Sequence, residues 1–279
     1  MLRNFKNKLR AWNRGRLTQR REDREAFAGH DHRLGVLGIM KNEAMNLDEW
    51  VQHYLSMGAG KVFLIDNGST DGTIEKAKSW VAKGVVELVE YAQPNRQKEH
   101  YWSAFKHFKI ARKCRWLIVA DLDEFWFCPT AETIAERLSD FRAFDVIYGN
   151  WGMFGSSGLE KHPASIRTAF TMRASELRFH TERKYICRTS VVTSGQSLGV
   201  HSVNGARSER TISDNTAFHL NHYSIQSLEY FQSVKMKRGN ASSTYKKPHP
   251  DMTYFENCDK PCTMSDRLLA DLVASGKIK

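Results

Sequence analysis

Residues 116–125 read Trp-Leu-Ile-Val-Ala-Asp-Leu-Asp-Glu-Phe, an apolar run that ends in three carboxylates within four positions. The apolar run predicts a strand that is buried on both faces. Charge at the end of a buried strand requires a compensating partner. Asp121 and Asp123 lie on the same side of an extended chain, and their oxygens are ligands that Mg²⁺ and Mn²⁺ accept. The stretch therefore predicts a metal-bound phosphate at a strand end, with a turn-forming aspartate pair as the alternative.

Predicted strands and helices alternate on the N-terminal side of this stretch. Apolar patterning and glycine breaks give strands over 34–40, 62–66 and 85–91, and helices over 46–57, 73–82 and 97–113. Strands separated by helices of roughly ten to fifteen residues indicate an α/β fold with a mostly parallel sheet flanked by helices. Ligands of such sheets bind beyond the carboxyl ends of the strands, where the connecting loops gather.

The second half of the sequence is less regular. It predicts strands over 145–151 and 184–192, a glycine- and serine-rich loop over 152–158, and a helix over 224–239. We expect residues 1–33 to form a separate basic segment and residues 34–279 to form one domain. Within that domain we expect a nucleotide-binding half over 34–128, an acceptor half over 129–245, and a C-terminal tail over 246–279.

Basic residues are concentrated at the N-terminus. Residues 1–33 hold ten Lys or Arg against four Asp or Glu, which is +6 of the net charge of +11. Leu2, Phe5, Leu9 and Trp12 recur among them at helical spacing, as in a helix that lies on an anionic membrane surface. A nucleic-acid arm and a solvated tail are the alternatives. Because no helix-turn-helix, zinc-finger or RNP pattern is present, we expect no nucleic-acid partner.

The rest of the composition is that of a globular protein. Hydrophobic residues make up 41% and charged residues 26% of the chain. No run of 18 apolar residues predicts a membrane span, and the N-terminus lacks the apolar core of a secretory signal. Five cysteines, an odd number, favour a reducing compartment. We therefore expect a cytoplasmic protein that attaches to the inner face of the membrane if the basic segment binds lipid.

Two further loops carry polar residues at predicted strand ends. Asn42 and Glu43 follow the first strand and can hydrogen-bond a base or ribose. Asp66 ends the second strand and can accept a hydrogen bond from a nucleoside. The alternative for each loop is a purely structural role, because Asn and Asp also form turns and helix N-caps.

The loops belong to a set of sequence blocks that resembles the GT-A glycosyltransferases of families 2 and 92. The resemblance extends from about residue 35 to 240. The blocks are Met40-Lys41-Asn42-Glu43, Leu47-Asp48-Glu49-Trp50 with His53-Tyr54, Ile65 to Thr73, Asp121 to Phe125, Phe154 to Gly158, Val200-His201-Ser202 and His222-Tyr223-Ser224.

The resemblance implies a GT-A fold and a nucleoside-diphosphate sugar donor, with a UDP-sugar as the first choice. Asp66 would bind the base or ribose, in a pocket lined by Asn42, Glu43, Asn67 and Asp71. The acceptor would be a carbohydrate or a glycolipid, and the reaction would belong to polysaccharide biosynthesis.

The same resemblance makes Asp121-Leu122-Asp123 a DxD motif that holds Mn²⁺ or Mg²⁺ on the diphosphate. A metal there offsets the charge of the leaving group. His201 is the first candidate for a third metal ligand and His222 is the second. Arg96 and Lys98 are candidates for a phosphate clamp, and Gly155 and Ser156 for close approach to the sugar.

A transfer that inverts the anomeric carbon, as the resemblance implies, needs a general base on the acceptor hydroxyl. The sequence offers four carboxylates without choosing between them: Glu124, Glu176, Glu182 and Asp214. A nucleotidyltransferase on a similar sheet and a basic nucleic-acid-binding protein remain the alternative functions.

Overall fold

The structure, a computed structural model, describes residues 29–176, 182–238 and 250–279. Residues 1–28 lie outside these ranges, so the expected membrane-surface segment stays a prediction. The last residue of the helix predicted over 224–239 lies outside them too.

One large sheet organises the described residues. Nine of their strands join it: β1 (His32–Met40), β2 (Lys61–Asp66), β3 (Val86–Glu90), β4 (Cys114–Val119), β5 (Glu124–Phe127), β6 (Val146–Met153), β8 (Arg183–Arg188), β9 (Thr211–Ser213) and β10 (His219–His222). Their order is β3-β2-β1-β4-β8-β6-β10-β5, and β9 pairs with β6. Strands β3, β2, β1 and β4 are parallel neighbours, whereas β8 runs antiparallel between β4 and β6. Strands β7 (Met172–Arg173) and β11 (Met264–Ser265) form a separate antiparallel pair.

Helices cover both faces of the sheet. The α-helices are α1 (Leu47–Ser56), α2 (Thr73–Ala82), α3 (Gln97–His107), α4 (Ile110–Lys113), α5 (Ile134–Arg137), α6 (Ile166–Ala169), α7 (Leu228–Tyr230), α8 (Met236–Arg238), α9 (Met252–Asp259) and α10 (Leu268–Ala274). A π-helical turn, Phe231–Lys235, joins α7 to α8. None of the helices in the described part of the chain has both the length and the apolar character that a bilayer crossing requires.

Alternation along β1 shows how the sequence produces this arrangement. Leu34 and Val36 pack in one apolar layer with α1, and Leu37 and Ile39 pack in the opposite layer with α3. All four are buried, because side chains of a strand alternate between faces and both faces are covered. The expected α/β architecture, a mostly parallel sheet flanked by helices, is confirmed.

Strand register brings the three predicted loops to one edge. Met40, the last residue of β1, pairs with Asp66, the last residue of β2. The amide of Ala120 donates to the carbonyl of Leu37 at 3.1 Å, so Asp121 emerges beside the end of β1. The loops after β1, β2 and β4 therefore share the carboxyl edge of the sheet, as expected.

Three predicted elements differ from those observed. The helix predicted over 97–113 breaks at Lys109, whose φ of +56° is left-handed and ends α3 in a C-cap conformation. The strand predicted over 184–192 stops at Arg188 and continues as a 3₁₀ turn, Thr189–Val191. The helix predicted over 224–239 begins only at Leu228, because the Ser227 hydroxyl accepts from the Tyr230 amide and caps it there.

The C-terminal residues pack onto the same core. Leu269 and Leu272 of α10 are buried in the apolar layer that also holds Trp50. In α9, Asp259 reaches the glycine-rich loop that follows β6. Residues 250–279 thus contribute to the stability of the sheet and help to shape the loop beside its carboxyl edge.

Candidate active site

The loops after β1 and β2 are tied together by direct hydrogen bonds. The Asn42 amide donates to the Ser69 hydroxyl at 2.9 Å, and the Asn42 side-chain oxygen accepts from the Thr70 amide at 2.7 Å. Asn42 adopts a positive φ of +54°, which asparagine tolerates better than most residues. The Glu43 amide adds a bond of 2.8 Å to the Thr73 hydroxyl. The two loops therefore form one hydrogen-bonded wall at the carboxyl edge of the sheet.

Asp66 lies within this wall and is 1% exposed. One of its oxygens, Oδ2, accepts from the amides of Gly68 and Ser69, each at 3.0 Å. The other, Oδ1, is buried and has no hydrogen-bond partner among the described residues. A buried acceptor of this kind calls for a donor from elsewhere.

Asn67 and Asp71, in the same loop, make hydrogen bonds that stabilise the local backbone. The Asn67 amide group donates to the carbonyls of Tyr91 at 2.6 Å and Gln93 at 3.1 Å. Asp71 accepts from the amide of Thr73, the first residue of α2, at 3.0 Å. These contacts are the structural roles that the sequence left open for such residues.

Asp121 is paired with a buried lysine. The Lys184 ammonium donates to Asp121 Oδ2 at 2.8 Å and lies 3.5 Å from Glu124 Oε2. Burial alone would lower the pKa of Lys184, but the two carboxylates outweigh it and raise the pKa above its usual range. Helix α1 fixes the backbone here, because the Trp50 indole donates to the Asp121 carbonyl at 2.9 Å. The cation required at this strand end is thus supplied, for Asp121, by β8.

Asp123 is paired with a second lysine and a histidine. The Lys235 ammonium donates to Asp123 Oδ2 at 3.0 Å, and His222 Nε2 lies 3.4 Å from Oδ1. Burial alone would raise the pKa of Asp123, but Lys235 and His222 hold the pKa well below its usual range. The carboxylate therefore stays ionised while almost fully buried.

Glu43 receives a similar set of partners from the segment after β10. Its Oε2 accepts from the Tyr230 hydroxyl at 3.0 Å and from the Asn46 amide at 3.1 Å. Its Oε1 pairs with the Arg238 guanidinium. Residues 228–238 therefore reach back across the carboxyl edge to both Glu43 and Asp123.

Both candidate histidines contact the indole ring of Trp151. Trp151 contacts His222 with ring centroids 4.2 Å apart and His201 with centroids 5.3 Å apart. His201 Nδ1 bonds to the Arg183 carbonyl at 3.1 Å, and burial lowers its pKa. Of the two histidines, His222 is the one whose ring nitrogen lies beside Asp123. In the described residues no three His, Cys, Asp or Glu side chains converge as a metal site.

Gly155 and Ser156 bind α9. The Ser156 amide and hydroxyl donate to the two oxygens of Asp259 at 2.6 and 3.0 Å. A Cβ at Gly155 would approach Asp259 Oδ1 to 2.5 Å, so glycine is needed for this packing. Arg96 and Lys98 are solvent-exposed at the start of α3. The contacts of these four residues do not include the Asp121–Asp123 cluster.

The four candidate bases have different surroundings. Glu124 is fully buried, and burial raises its pKa. It accepts from the Asp121 amide at 2.9 Å and so stabilises the backbone of the motif. Asp214 accepts from the Thr216, Ala217 and Phe218 amides at 2.7 to 3.2 Å and so holds a turn. Glu176 is exposed. Glu182 is half-buried beside Trp151, whose amide donates to the Glu182 carbonyl at 3.2 Å.

The sequence did not reveal the cations that meet these carboxylates. Lys184 lies 63 positions from Asp121, and Lys235 lies 112 positions from Asp123. Only one signal was available for Lys184, a cation directly before the apolar run Tyr185-Ile186-Cys187. Lys235, Arg238 and Tyr230 belong to a mixed polar helix that has no pattern of its own.

The chain belongs to glycosyltransferase family 92, whose sequence profile it matches over residues 37–261. It is similar to a glycosyltransferase family 92 protein of Arabidopsis thaliana, at 25% identity over 240 residues, which cover 78% of this chain and 39% of the relative. A family 92 protein of Oryza sativa subsp. japonica is 24% identical over 206 residues, covering 72% of this chain and 35% of the relative. The chain thus spans less than two fifths of the length of these two relatives.

Two solved structures also match part of the chain. The structure of S. aureus TarS 1-349 in complex with UDP-GlcNAc has a TM-score of 0.47 and 13% identity, covering 81% of this chain and 64% of that one. Glucosyl-3-phosphoglycerate synthase from Mycobacterium tuberculosis has a TM-score of 0.40 and 12% identity, covering 68% and 71%.

Proposed function

We propose that this chain is a glycosyltransferase that moves a hexosyl group from a nucleoside-diphosphate sugar, with a UDP-sugar as first choice, to a carbohydrate or glycolipid acceptor. The observation that carries the proposal is the gathering of Asp66, Asp121 and Asp123 at one sheet edge in a chain of glycosyltransferase family 92. We further propose that the transfer inverts the anomeric carbon, as the family resemblance implies.

The nucleoside would lie against the wall formed by the loops after β1 and β2. The buried and unpartnered Asp66 Oδ1 would accept from a base N–H or a ribose hydroxyl. Asn42 and Glu43 border the same position through the loop that hydrogen bonds tie to Ser69 and Thr73. The diphosphate would then extend from this wall toward Asp121 and Asp123.

The described residues do not form a metal site at the motif: no three His, Cys, Asp or Glu side chains converge there, and Lys184 and Lys235 already pair with Asp121 and Asp123. The divalent cation, Mn²⁺ or Mg²⁺, that the family resemblance implies stays a proposal, and His222 Nε2 lies 3.4 Å from Asp123 Oδ1. Carboxylate oxygen with imidazole nitrogen suits Mn²⁺ better than Mg²⁺. Asp121, Asp123 and His222 would hold the cation, which would neutralise the leaving diphosphate. His222 thus replaces His201 as our preferred third ligand.

We propose that one of the four carboxylates Glu124, Glu176, Glu182 and Asp214 takes the proton of the acceptor hydroxyl as the sugar bond forms. Glu124 and Asp214 make internal hydrogen bonds. The backbone carbonyl of Glu182 accepts from the amide of Trp151, whose ring contacts His222 next to Asp123.

Donor binding is tested by thermal unfolding with a panel of sugar nucleotides, with and without Mn²⁺. A ligand at about 100 times its Kd stabilises the folded state by about 2.7 kcal/mol, so the true donor raises the melting temperature selectively. Asp66→Asn should lose this stabilisation, whereas the exposed Asp140→Asn should keep it. No stabilisation of the wild-type chain by any sugar nucleotide would contradict the proposal.

Product analysis separates glycosyl transfer from nucleotidyl transfer. Released nucleoside diphosphate supports the proposed reaction, because the sugar bond is the one that breaks. Released pyrophosphate would instead support the nucleotidyltransferase alternative.

A further inference from the structure

An open groove of about 510 Å³ lies along α3 and α4, away from the proposed donor pocket. Strand β4 begins at Cys114, directly after α4, so the groove lies near the amino ends of the strands, whereas Asp121 follows the carboxyl end of β4. None of the described residues that line the groove is acidic, and three are basic. The lining residues are Trp102, Phe105, Lys106, Lys109, Ala111 and Arg112.

Two aromatic rings form the apolar part of this groove. Trp102 and Phe105 stack with their centroids 6.0 Å apart and their planes inclined by 14°. The Lys106 ammonium lies over the Trp102 ring, 5.1 Å from its centre. On the neighbouring loop, a Cβ at Gly195 would approach the Trp102 ring to 3.1 Å, so the indole packs closely against that loop. The fold therefore holds the aromatic rings in place beneath the cations.

The three cations of the groove are not neutralised by the protein. Lys106, Lys109 and Arg112 are exposed, and in the part of the chain that the structure describes none of them forms a salt bridge. Lys113, beside them, pairs with Glu87 at 2.6 Å. Lys109 has a φ of +56°, a conformation in which glycine is the usual residue, so the backbone gives no reason for a lysine there. Three uncompensated like charges around one groove favour an anionic partner.

The groove is adjacent to the point where the basic N-terminal segment joins the sheet. His32, the first residue of β1, pairs with Cys114, two positions after Arg112. Residues 1–33 carry +6 of the net charge, and their apolar residues recur at the spacing typical of a helix on an anionic membrane surface. The segment and the groove therefore bring positive charge to the same end of the sheet.

We propose that the groove of α3 and α4 binds the headgroups of anionic phospholipids and so holds the domain on a membrane surface. Phosphate oxygens of the headgroups would accept from Lys106, Lys109 and Arg112. An extended anionic surface fits these cations better than a small soluble anion does, because all three are exposed rather than enclosed. The donor pocket would stay accessible, because it lies at the opposite ends of the strands.

The test measures sedimentation of the full chain with vesicles of phosphatidylcholine alone and of phosphatidylcholine mixed equally with phosphatidylglycerol. The groove variant combines Lys106→Gln, Lys109→Gln and Arg112→Gln. Each basic residue near an anionic lipid surface is worth about fivefold in binding, so this variant should bind the mixed vesicles about 100-fold more weakly. Thermal unfolding checks that the variant is folded.

The matched control removes the same charge from exposed positions outside the groove, by combining Lys78→Gln, Lys260→Gln and Lys277→Gln. Because salt screens charges that do not contact the lipid, the control should weaken binding by less than about fivefold. Residues 1–33 are identical in all three proteins, so the difference between the groove variant and the control measures the contribution of the groove.

The expected order is strong binding by the wild type and the control, and weak binding by the groove variant, to the mixed vesicles only. Equal binding by the wild type and the groove variant would assign lipid binding to other residues and overturn the proposal. Equal losses in both variants would show an effect of net charge alone and would overturn it too. Binding to duplex DNA but not to vesicles would make the groove a nucleic-acid surface instead. None of these measurements uses a sugar nucleotide, so they leave the proposed function to its own test.

Discussion

Lys184 illustrates how a single buried residue organises the acidic motif. Its side chain is completely buried and lies between Asp121 and Glu124. The backbone of the motif is held independently by α1, where the Trp50 indole and the Tyr54 hydroxyl donate to the carbonyls of Asp121 and Glu124, each at 2.9 Å. The lysine therefore compensates the carboxylate charges of the motif, and α1 holds the backbone of the motif in place.

Lys184→Met should destabilise the protein strongly. Removing one partner of a buried ion pair leaves an uncompensated charge and costs about 3–5 kcal/mol. Urea unfolding measures the loss, and adding Glu124→Gln should recover part of it. Lys161→Met is the control: that side chain is 87% exposed and pairs with Glu229, so its effect should be below about 1 kcal/mol. Equal effects of the two substitutions would contradict the assignment.

His53 should make the fold sensitive to mild acid. Its Nε2 lies 2.7 Å from the Trp126 carbonyl, and burial followed by the charge of Arg167 lowers its pKa to about 3. Below the ordinary histidine pKa of about 6.5, the unfolded chain binds a proton that the folded chain refuses, so stability falls with pH by about 1.4 kcal/mol per unit. The loss begins near the unfolded pKa and ends near the folded one.

The measurement is the free energy of unfolding between about pH 4 and pH 6. His53→Gln can still donate to the Trp126 carbonyl and has no titrating ring, so its slope should be shallower than that of the wild type by about that amount. Parallel slopes would show that His53 is not the group responsible.

The acidic half of the site was predictable from single residues, and the basic half was not. Asp66, Asp121 and Asp123 follow apolar runs, and parallel strands bring their ends together. Lys184 and Lys235 reach them from antiparallel β8 and from a helix. Their positions depend on the pairing of distant elements, which no local pattern encodes.

Among the elements, β1, β2 and β4 were predictable because each is an apolar run covered on both faces, whereas β3 is a partly buried edge strand in which apolar and acidic residues mix. Strands β9 and β10 escaped prediction because each is only three or four residues long and carries polar residues. Strand β5 begins at Glu124, directly after Asp121-Leu122-Asp123, where no strand was predicted. The break at Lys109 depends on one left-handed residue that is not glycine.

Strand β6 contains a glycine that its neighbours require. A Cβ at Gly149 would overlap the fully buried Trp126 ring, so Gly149→Ala should cost about 1–3 kcal/mol through overpacking. On the same strand, the atom nearest to a Cβ at Gly152 lies at an ordinary 3.6 Å. Gly152→Ala should therefore cost much less in the same thermal-unfolding experiment. A reversed order of the two variants would refute this account of the packing.

At the scale of the whole molecule, the reactivity of the cysteines reports how well the core excludes solvent. Cys114, Cys128, Cys187 and Cys262 are buried, and Cys258 is half-buried. Burial raises the pKa of Cys114 and of Cys128 to about 12, which keeps both thiols protonated. The folded protein should react rapidly with a thiol reagent at Cys258, and the unfolded protein at all five cysteines. Rapid labelling of Cys187 in the folded protein would contradict the packing.

Hydrogen bonds join Asn42 to Ser69 and Thr70. Different stretches of the chain therefore build different parts of the proposed donor pocket. The hydrogen bonds of one wall join residues at most 30 positions apart, whereas the cover over Asp123 comes from residues 228–238. The later segment also holds Glu43 of the earlier wall through Tyr230 and Arg238. The proposed donor pocket therefore depends on contacts between two distant stretches of the chain, and a substitution in either stretch can disturb both.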